Sequence, residues 1–370
     1  MNHTLGAAAI IIGTTIGAGI LGLPKAIEST GYIAGLLILI IVALLTLLTN
    51  LAIGETALRV RDDHQLPGLA KKFLGDTGKR IVSLAMMFSI YGAMTAYLIG
   101  IPTTIKELVG GDIYVYAIII WIIISILVLK GIKTVAGTEL GLGIGLILII
   151  GLISILAAPY ISLENYSIIN THHLFIAYGV ALFAYMGMVA VPEAREALRG
   201  REDKLAKAIV IGLIVPFIIY VLFSTVVVGV TGNETTEIAT IGLGRRLGIG
   251  FSIFGNIFAI MAMLTSFIAL SNAGLEMYRY DYKQGKIKSL LFTMLPPLLL
   301  YFILGGRGFE RVISITGAIT GAILGITVMH MYYKSQSHSE RKPEYMIKLP
   351  RIGIILIDLL FLAGLLSILL

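Results

Sequence analysis

The sequence predicts an all-α integral membrane protein of eleven transmembrane helices, and three observations carry that prediction. First, 57% of its 370 residues are hydrophobic, only 13% are charged, and the mean hydropathy is +0.95. Soluble globular chains are about 45–50% apolar and about 25% charged. A chain with half that charge could not cover its own surface, which excludes a water-soluble enzyme. Second, the charges are gathered between long charge-free runs. Third, the basic residues crowd into alternate loops. The absence of cysteine further excludes a disulfide framework, an iron–sulfur protein and a cysteine-based zinc site.

In chain order the charge-free runs are 5–24, 29–54, 81–105, 113–129, 140–163, 174–192, 208–233, 247–275, 289–306 and 312–333. An eleventh, 352–370, is interrupted only by Asp358. A spanning helix takes about 17–25 mostly apolar residues, so each run reads as one span. Barrel strands would alternate in polarity, and these runs do not. The first run lacks the basic flank of a signal peptide and has a polar centre. With the N-terminus placed inside, all but six of the 28 Lys+Arg fall in inner loops; the exceptions are Lys25, Lys106, Arg245, Arg246, Arg307 and Arg311. The expected placement is the plasma (inner) membrane, multi-pass, with a cytoplasmic N-terminus and an extracellular C-terminus. The net charge of +7 is then topological rather than a nucleic-acid footprint.

Between spans, Leu66, Leu69, Phe73 and Leu74 recur at helical spacing among lysines, which predicts a short amphipathic helix over 65–80 on the inner surface. The Gly/Thr-rich stretch 231–244 reads either as part of an outer gate or as a connector. Glu55, at a helix end, is expected to be solvated, and Glu193, Arg195 and Glu196 to form an inner ion-pair cluster. His172-His173 has no third ligand in view, so no metal site is expected there. No linker composition appears, so the chain reads as a single membrane domain, 1–370.

The first and sixth spans differ from the rest. The first, 13–24, holds Gly13, Thr14, Thr15, Gly17, Gly19 and Gly22 before Pro24. Glycine costs about 1 kcal/mol in a helix interior and proline about 3, so this segment invites unwinding. The sixth, 182–192, repeats the layout with Gly187 and Pro192. The two lie five positions apart in span order, and an odd offset sets corresponding helices in opposite directions, as an inverted repeat requires. Interrupted helices at matching positions of two inverted halves point to a transporter's midplane site. A channel would show a filter loop or charged ring, and a membrane enzyme a concentration of His, Asp and Glu at helix ends. Neither is visible, nor is a Walker loop, a nucleophile elbow or a dinucleotide fingerprint.

These residues resemble the hydroxy/aromatic amino acid permeases, the tyrosine and tryptophan permease group. The likeness rests on 13–24, the second span ending in Glu55, the stretch 66–75, and the third span with Tyr91 and Tyr97. The sixth span, from Phe183 to Glu193, is closer to the wider amino acid–polyamine–organocation superfamily, and eleven spans is also the count of the amino acid/auxin permeases. The resemblance implies a leucine-transporter-type fold of five plus five inverted helices. The first repeat is 5–163, the second 172–333, helices 1 and 6 are broken, and 351–370 is one extra helix. It implies an amino acid as small-molecule substrate and the lipid bilayer as surroundings, with no enzyme activity, no cofactor and no nucleic acid.

By the same resemblance the substrate carboxylate falls at the amides of Ala18 and Gly19, with Tyr91 as a further donor; the other reading of Tyr91 is a buried tyrosine bonded to a neighbouring helix. The ammonium falls near the carbonyls of Thr15, Phe183 and Ala184. Tyr185, Met186 and Gly187 border the side-chain pocket, and Thr14 and Gly17 are further substrate-binding candidates. Ala262, Thr265 and Ser266 match a sodium site of that fold, completed by backbone oxygens of Gly13 and Ile16. Two adjacent hydroxyls also read as helix glue. Permeases of this group are regarded as proton-coupled, which would call on a carboxylate such as Glu139 or Asp358. Yet some proton-driven relatives place a lysine of the fifth span where sodium would sit, and 140–163 has none. Sodium is the expected coupling ion, with a proton-coupled carrier or an amino acid exchanger as alternative.

Overall fold

The computed structural model describes residues 3–131, 136–167, 174–280 and 282–369, apart from the side chains of 136–144, 174–175 and 367–369. The described chain is helical: α1 (His3–Thr15), α2 (Gly19–Thr30), α3 (Tyr32–Leu58), α4 (Leu66–Val109), α5 (Ile113–Leu129), α6 (Ala136–Ala157) and α7 (Leu174–Ala184). Then follow α8 (Ala190–Ala197), α9 (Leu205–Thr231), α10 (Ala239–Leu247), α11 (Ile249–Tyr280), α12 (Lys286–Ile303), α13 (Phe309–Ser335) and α14 (Arg351–Leu369). Among the described residues six helices, α3, α4, α9, α11, α12 and α13, are long and apolar enough to cross a membrane. The α1/α2 pair, bent by 61°, makes up to seven. That is fewer than the eleven charge-free runs, in part because 174–192 is divided between α7 and α8 and α5 stops at 17 residues.

Large apolar side chains stand exposed in helical stripes. On α3 these are Ile33, Leu37, Ile40 and Leu44, and on α5 Val115, Ile118, Ile122 and Ile126. Stripes of that length suit hydrocarbon, not water.

Two groups of helices are evident. In one, α1 packs on α9, α2 on α7 and α9, and α3 on α7, α8 and α9; in the other, α4 packs on α5, α11 and α12. Helix α13 joins them, touching both α4 and α7. Close approach there depends on small residues: a Cβ on Gly317 of α13 would lie 2.5 Å from the backbone nitrogen of Phe183.

The amphipathic segment near 65–80 includes a short helix of its own at the start of α4, set off from the spanning part by Gly75, whose φ of 75° breaks the helix. The stretch 231–244 is more than a connector, because it enters α10, whose residues Ala239 to Gly244 are buried. Helix formation there satisfies backbone groups that burial would otherwise orphan.

One face of the molecule is held by ions. Glu55, expected to be solvated, is 1% exposed; its carboxylate accepts from Arg59 Nη2 at 2.6 Å and from the amide of Ile347 at 2.8 Å. Arg195 of α8 donates to the Val60 carbonyl at 2.9 Å and pairs with Asp63 and Glu202, so its cluster is built across the fold. Residues 336–350 strap this face: the Tyr345 hydroxyl donates to Leu51 at 2.7 Å, and Glu340 pairs with Lys72 at 2.5 Å. Lys72 and the amide of Arg61 hold the Glu340 carboxyl below the usual carboxylate range.

Candidate functional site

Helix α1 ends at Thr15 and α2 starts at Gly19, and among the described residues no hydrogen bond engages the amides of Gly17, Ala18 and Gly19. These donors sit at the positive end of α2, a ready anion site. Helix α7 ends at Ala184 and α8 starts at Ala190; between them Met186 donates to Phe183 at 3.2 Å and Gly187 to Tyr185 at 2.7 Å, in place of helical bonds. The two breaks meet. A Cβ on Gly19 would lie 2.7 Å from Ala184 Cα, and one on Gly187 would collide with the Thr15 hydroxyl. The glycines that loosen the helices thus also let them touch.

A cavity of about 320 Å³ lies against the breaks. Its walls are residues 13–19, the end of α7, the middle of α4 and α13, and the Thr265–Ala273 stretch of α11, without a charged side chain. Three methionines, Met86, Met186 and Met188, supply adaptable apolar surface. Within it Thr14 and Ala273 are exposed. On the opposite side Phe309 is fully buried, 3.4 Å from a Cβ built on Gly22 and 3.1 Å from one on Gly100. Phe309, Gly22 and Gly100 lie outside the residues that line the cavity.

Most of the expected site residues come together here: Gly13, Thr14, Thr15, Ile16, Gly17, Ala18, Gly19, Phe183, Ala184 and Met186 line the cavity, with Thr265 and Ser266 opposite. A Cβ on Gly17 would stand 3.7 Å from Ser266 Oγ, so the first break faces the hydroxyl pair. Both hydroxyls donate to the Ala262 carbonyl, at 3.0 and 3.1 Å. Others lie apart. Tyr91 bonds Tyr278 at 2.5 Å and the Phe292 carbonyl at 2.8 Å, between helices and outside the cavity wall. The Tyr185 ring is fully buried edge-on against Tyr220, and Gly187 backs onto Thr15. Asp358 stands 4.0 Å from His330 on α13, away from the cavity. The Glu139 side chain and His172-His173 lie outside the described residues. Among the described residues no three His, Asp or Glu side chains form a metal group.

Two tyrosines went unassigned by the sequence reading of the site. Tyr97 of α4 lines the cavity with its hydroxyl towards Ser266. Tyr220 of α9 is fully buried and donates to the carbonyls of both Thr15, at 2.8 Å, and Ala184, at 2.9 Å. Neither stands in a local motif, and only the fold brings them to the breaks.

The chain matches known permeases over almost its whole length. The tyrosine-specific transport system 2 of Haemophilus influenzae is 25% identical over 349 residues, covering 86% of this chain and 84% of that protein. Glutamine transporter 2 of Aliivibrio fischeri is 25% identical over 339 residues, covering 88% and 86%. The low affinity tryptophan permease of Escherichia coli is 24% identical over 358 residues, covering 86% and 85%. The tryptophan/tyrosine permease family matches residues 1–369. The chain therefore belongs to the tryptophan/tyrosine permease family, a family of multi-pass membrane transporters and not of enzymes.

Proposed function

We propose that this protein is a secondary active carrier that imports neutral L-amino acids, aromatic or otherwise hydrophobic, by ion-coupled symport with alternating access. The observation that carries this reading is an uncharged cavity set against two touching helix breaks. A zwitterion at membrane depth needs both its charges met, since an unpaired charge there is expensive. The free amides of Gly17, Ala18 and Gly19 suit the carboxylate, and the carbonyl ends of α1 and α7 suit the ammonium. An uncharged wall disfavours Lys, Arg, Asp and Glu as substrates. The tyrosine, tryptophan and glutamine named for the relatives are all neutral.

The architecture that goes with this reading is eleven spans in two inverted repeats, 5–163 and 172–333, plus 351–370. In this reading the ionic face is cytoplasmic and the cavity opens towards it, away from Phe309. Sodium is the proposed coupling ion, held by the oxygens of Gly13, Ile16, Ala262, Thr265 and Ser266. Among the described residues the Gly13 and Ile16 carbonyls accept no hydrogen bond, which supports a cation nearby. A proton is the second reading, favoured by the two hydroxyls already donating to Ala262 as a helix glue pair does.

Proteoliposome uptake and counterflow of tyrosine, tryptophan and glutamine test the carrier, which shows trans-stimulated exchange where a channel shows none. Replacing sodium by choline at fixed pH, in wild type and in Thr265→Ala/Ser266→Ala, tests the ion. Sodium-dependent uptake lost in the double variant is the expected result. Uptake that ignores sodium and follows a pH gradient in both proteins rejects the sodium site.

A further inference from the structure

The C-terminal carbonyls of α1 and α7, on Thr15 and Ala184, converge on a single side-chain hydroxyl, that of Tyr220 on α9. Two helix C-termini meeting in one place create a locally negative spot. A phenol hydroxyl has one hydrogen, so it cannot fully satisfy two carbonyls at once; each oxygen has two lone pairs and keeps accepting capacity. Thr15 and Ala184 line the cavity, whereas Tyr220 stands behind them, outside its wall. Its position is fixed by complete burial and by the edge-on ring of Tyr185, with ring centres 5.3 Å apart.

We infer that Tyr220 is the positioning residue of the ammonium end of the site: its hydroxyl pins the carbonyls of Thr15 and Ala184 at a common point, so that the substrate's α-ammonium completes their hydrogen bonding from the cavity side. The inference rests on the amino acid carrier reading and adds a residue outside the cavity wall to it. The ammonium brings the donors that the single hydroxyl lacks. The same hydroxyl fixes the spacing of the two breaks, and with it the distance from the ammonium end to the free amides of residues 17–19.

The test compares L-tyrosine with its desamino analogue, 3-(4-hydroxyphenyl)propionate, as competitors of L-tyrosine uptake in proteoliposomes. The ratio of their inhibition constants reads recognition of the ammonium alone and does not depend on how much protein folds. Wild type should prefer L-tyrosine. Tyr220→Phe, which keeps the ring, should lower that preference about tenfold by raising the constant for L-tyrosine, the loss expected for one hydrogen bond to a charged group. Tyr220→His, which restores a ring N–H donor in a smaller side chain, should recover part of the ratio. A residue that only filled space would leave the ratio unaltered in both variants, with total uptake lower in Tyr220→His than in Tyr220→Phe. An unchanged ratio in Tyr220→Phe overturns the inference while leaving the carrier reading intact. A wild type that transports none of tyrosine, tryptophan or glutamine overturns the carrier reading first, and this inference with it.

Discussion

At the scale of the residue, Gly19 leaves the space in which the second break sits. A methyl group there would meet Ala184 Cα at 2.7 Å, a backbone atom that cannot swing aside. Gly19→Ala should therefore part the two breaks, costing about 1–3 kcal/mol in stability and abolishing uptake. A folded alanine variant with wild-type uptake in proteoliposomes would sink this account of the glycine. The role of Gly19 was legible in the sequence, since four glycines, two threonines and a proline crowd into twelve residues. Tyr220 was not legible. It lies in the apolar stretch from Pro216 to Phe223, where an aromatic residue carries no signal until Thr15 and Ala184 are brought to it from elsewhere in the chain. Glu55 misled for the same reason, as the Ile347 amide that buries it comes from the far end of the sequence.

At the scale of the element, the strap formed by 336–350 ties the end of α3 to the start of α4. Glu55 is its anchor, buried with Arg59 and the strap's own amide. Glu55→Ala leaves that guanidinium without its partner and should cost about 3–5 kcal/mol, seen as a lowered Tm in detergent. A Tm within error of wild type would show that the ion pair contributes little. The outer part of the strap should respond to acid. Glu340 is held below the ordinary carboxylate range by Lys72 and the Arg61 amide, so its contribution is present in full above the unfolded value. It is lost as pH falls through the lowered one. Amides of 336–350 should thus exchange faster with deuterium in strongly acidic buffer, once corrected for intrinsic rates, and Glu340→Gln should show that behaviour already at neutral pH. Equal protection in the variant and wild type would reject the clasp. Helix existence was readable from runs of apolar residues, while the kink at Gly75 and the buried α10 were not. Both depend on what packs above them rather than on local composition.

At the scale of the whole molecule, two helix groups share α13, and the proposed inward-open state has the cavity between them reach one face only. The chain has no cysteine, so single thiols can be introduced without background. Ala273→Cys, on the exposed wall of the cavity, should react quickly with a water-soluble maleimide. Ile313→Cys, fully buried beside Phe309 on the sealed side, should not. On the proposed alternating-access cycle, conditions that favour the opposite state should reverse that order. Equal reactivity at both positions would mean that the cavity runs through, contrary to a single-sided opening.

The seal around Phe309 also has an electrical meaning. Solvent that enters the cavity carries the potential of the open side deep into the protein. In the proposed inward-open state the voltage across the membrane would drop over the apolar layer that remains, where Phe309 and Ile313 pack over Gly22 and Phe309 and Met263 over Gly100. Each unit charge moved across 100 mV does work of about 2.3 kcal/mol, and here most of that work is done within a few side chains. On that reading the field in this layer is steeper than in the surrounding bilayer, and the insulation of the membrane at this point depends on Phe309, Ile313 and Met263 fitting against two glycines.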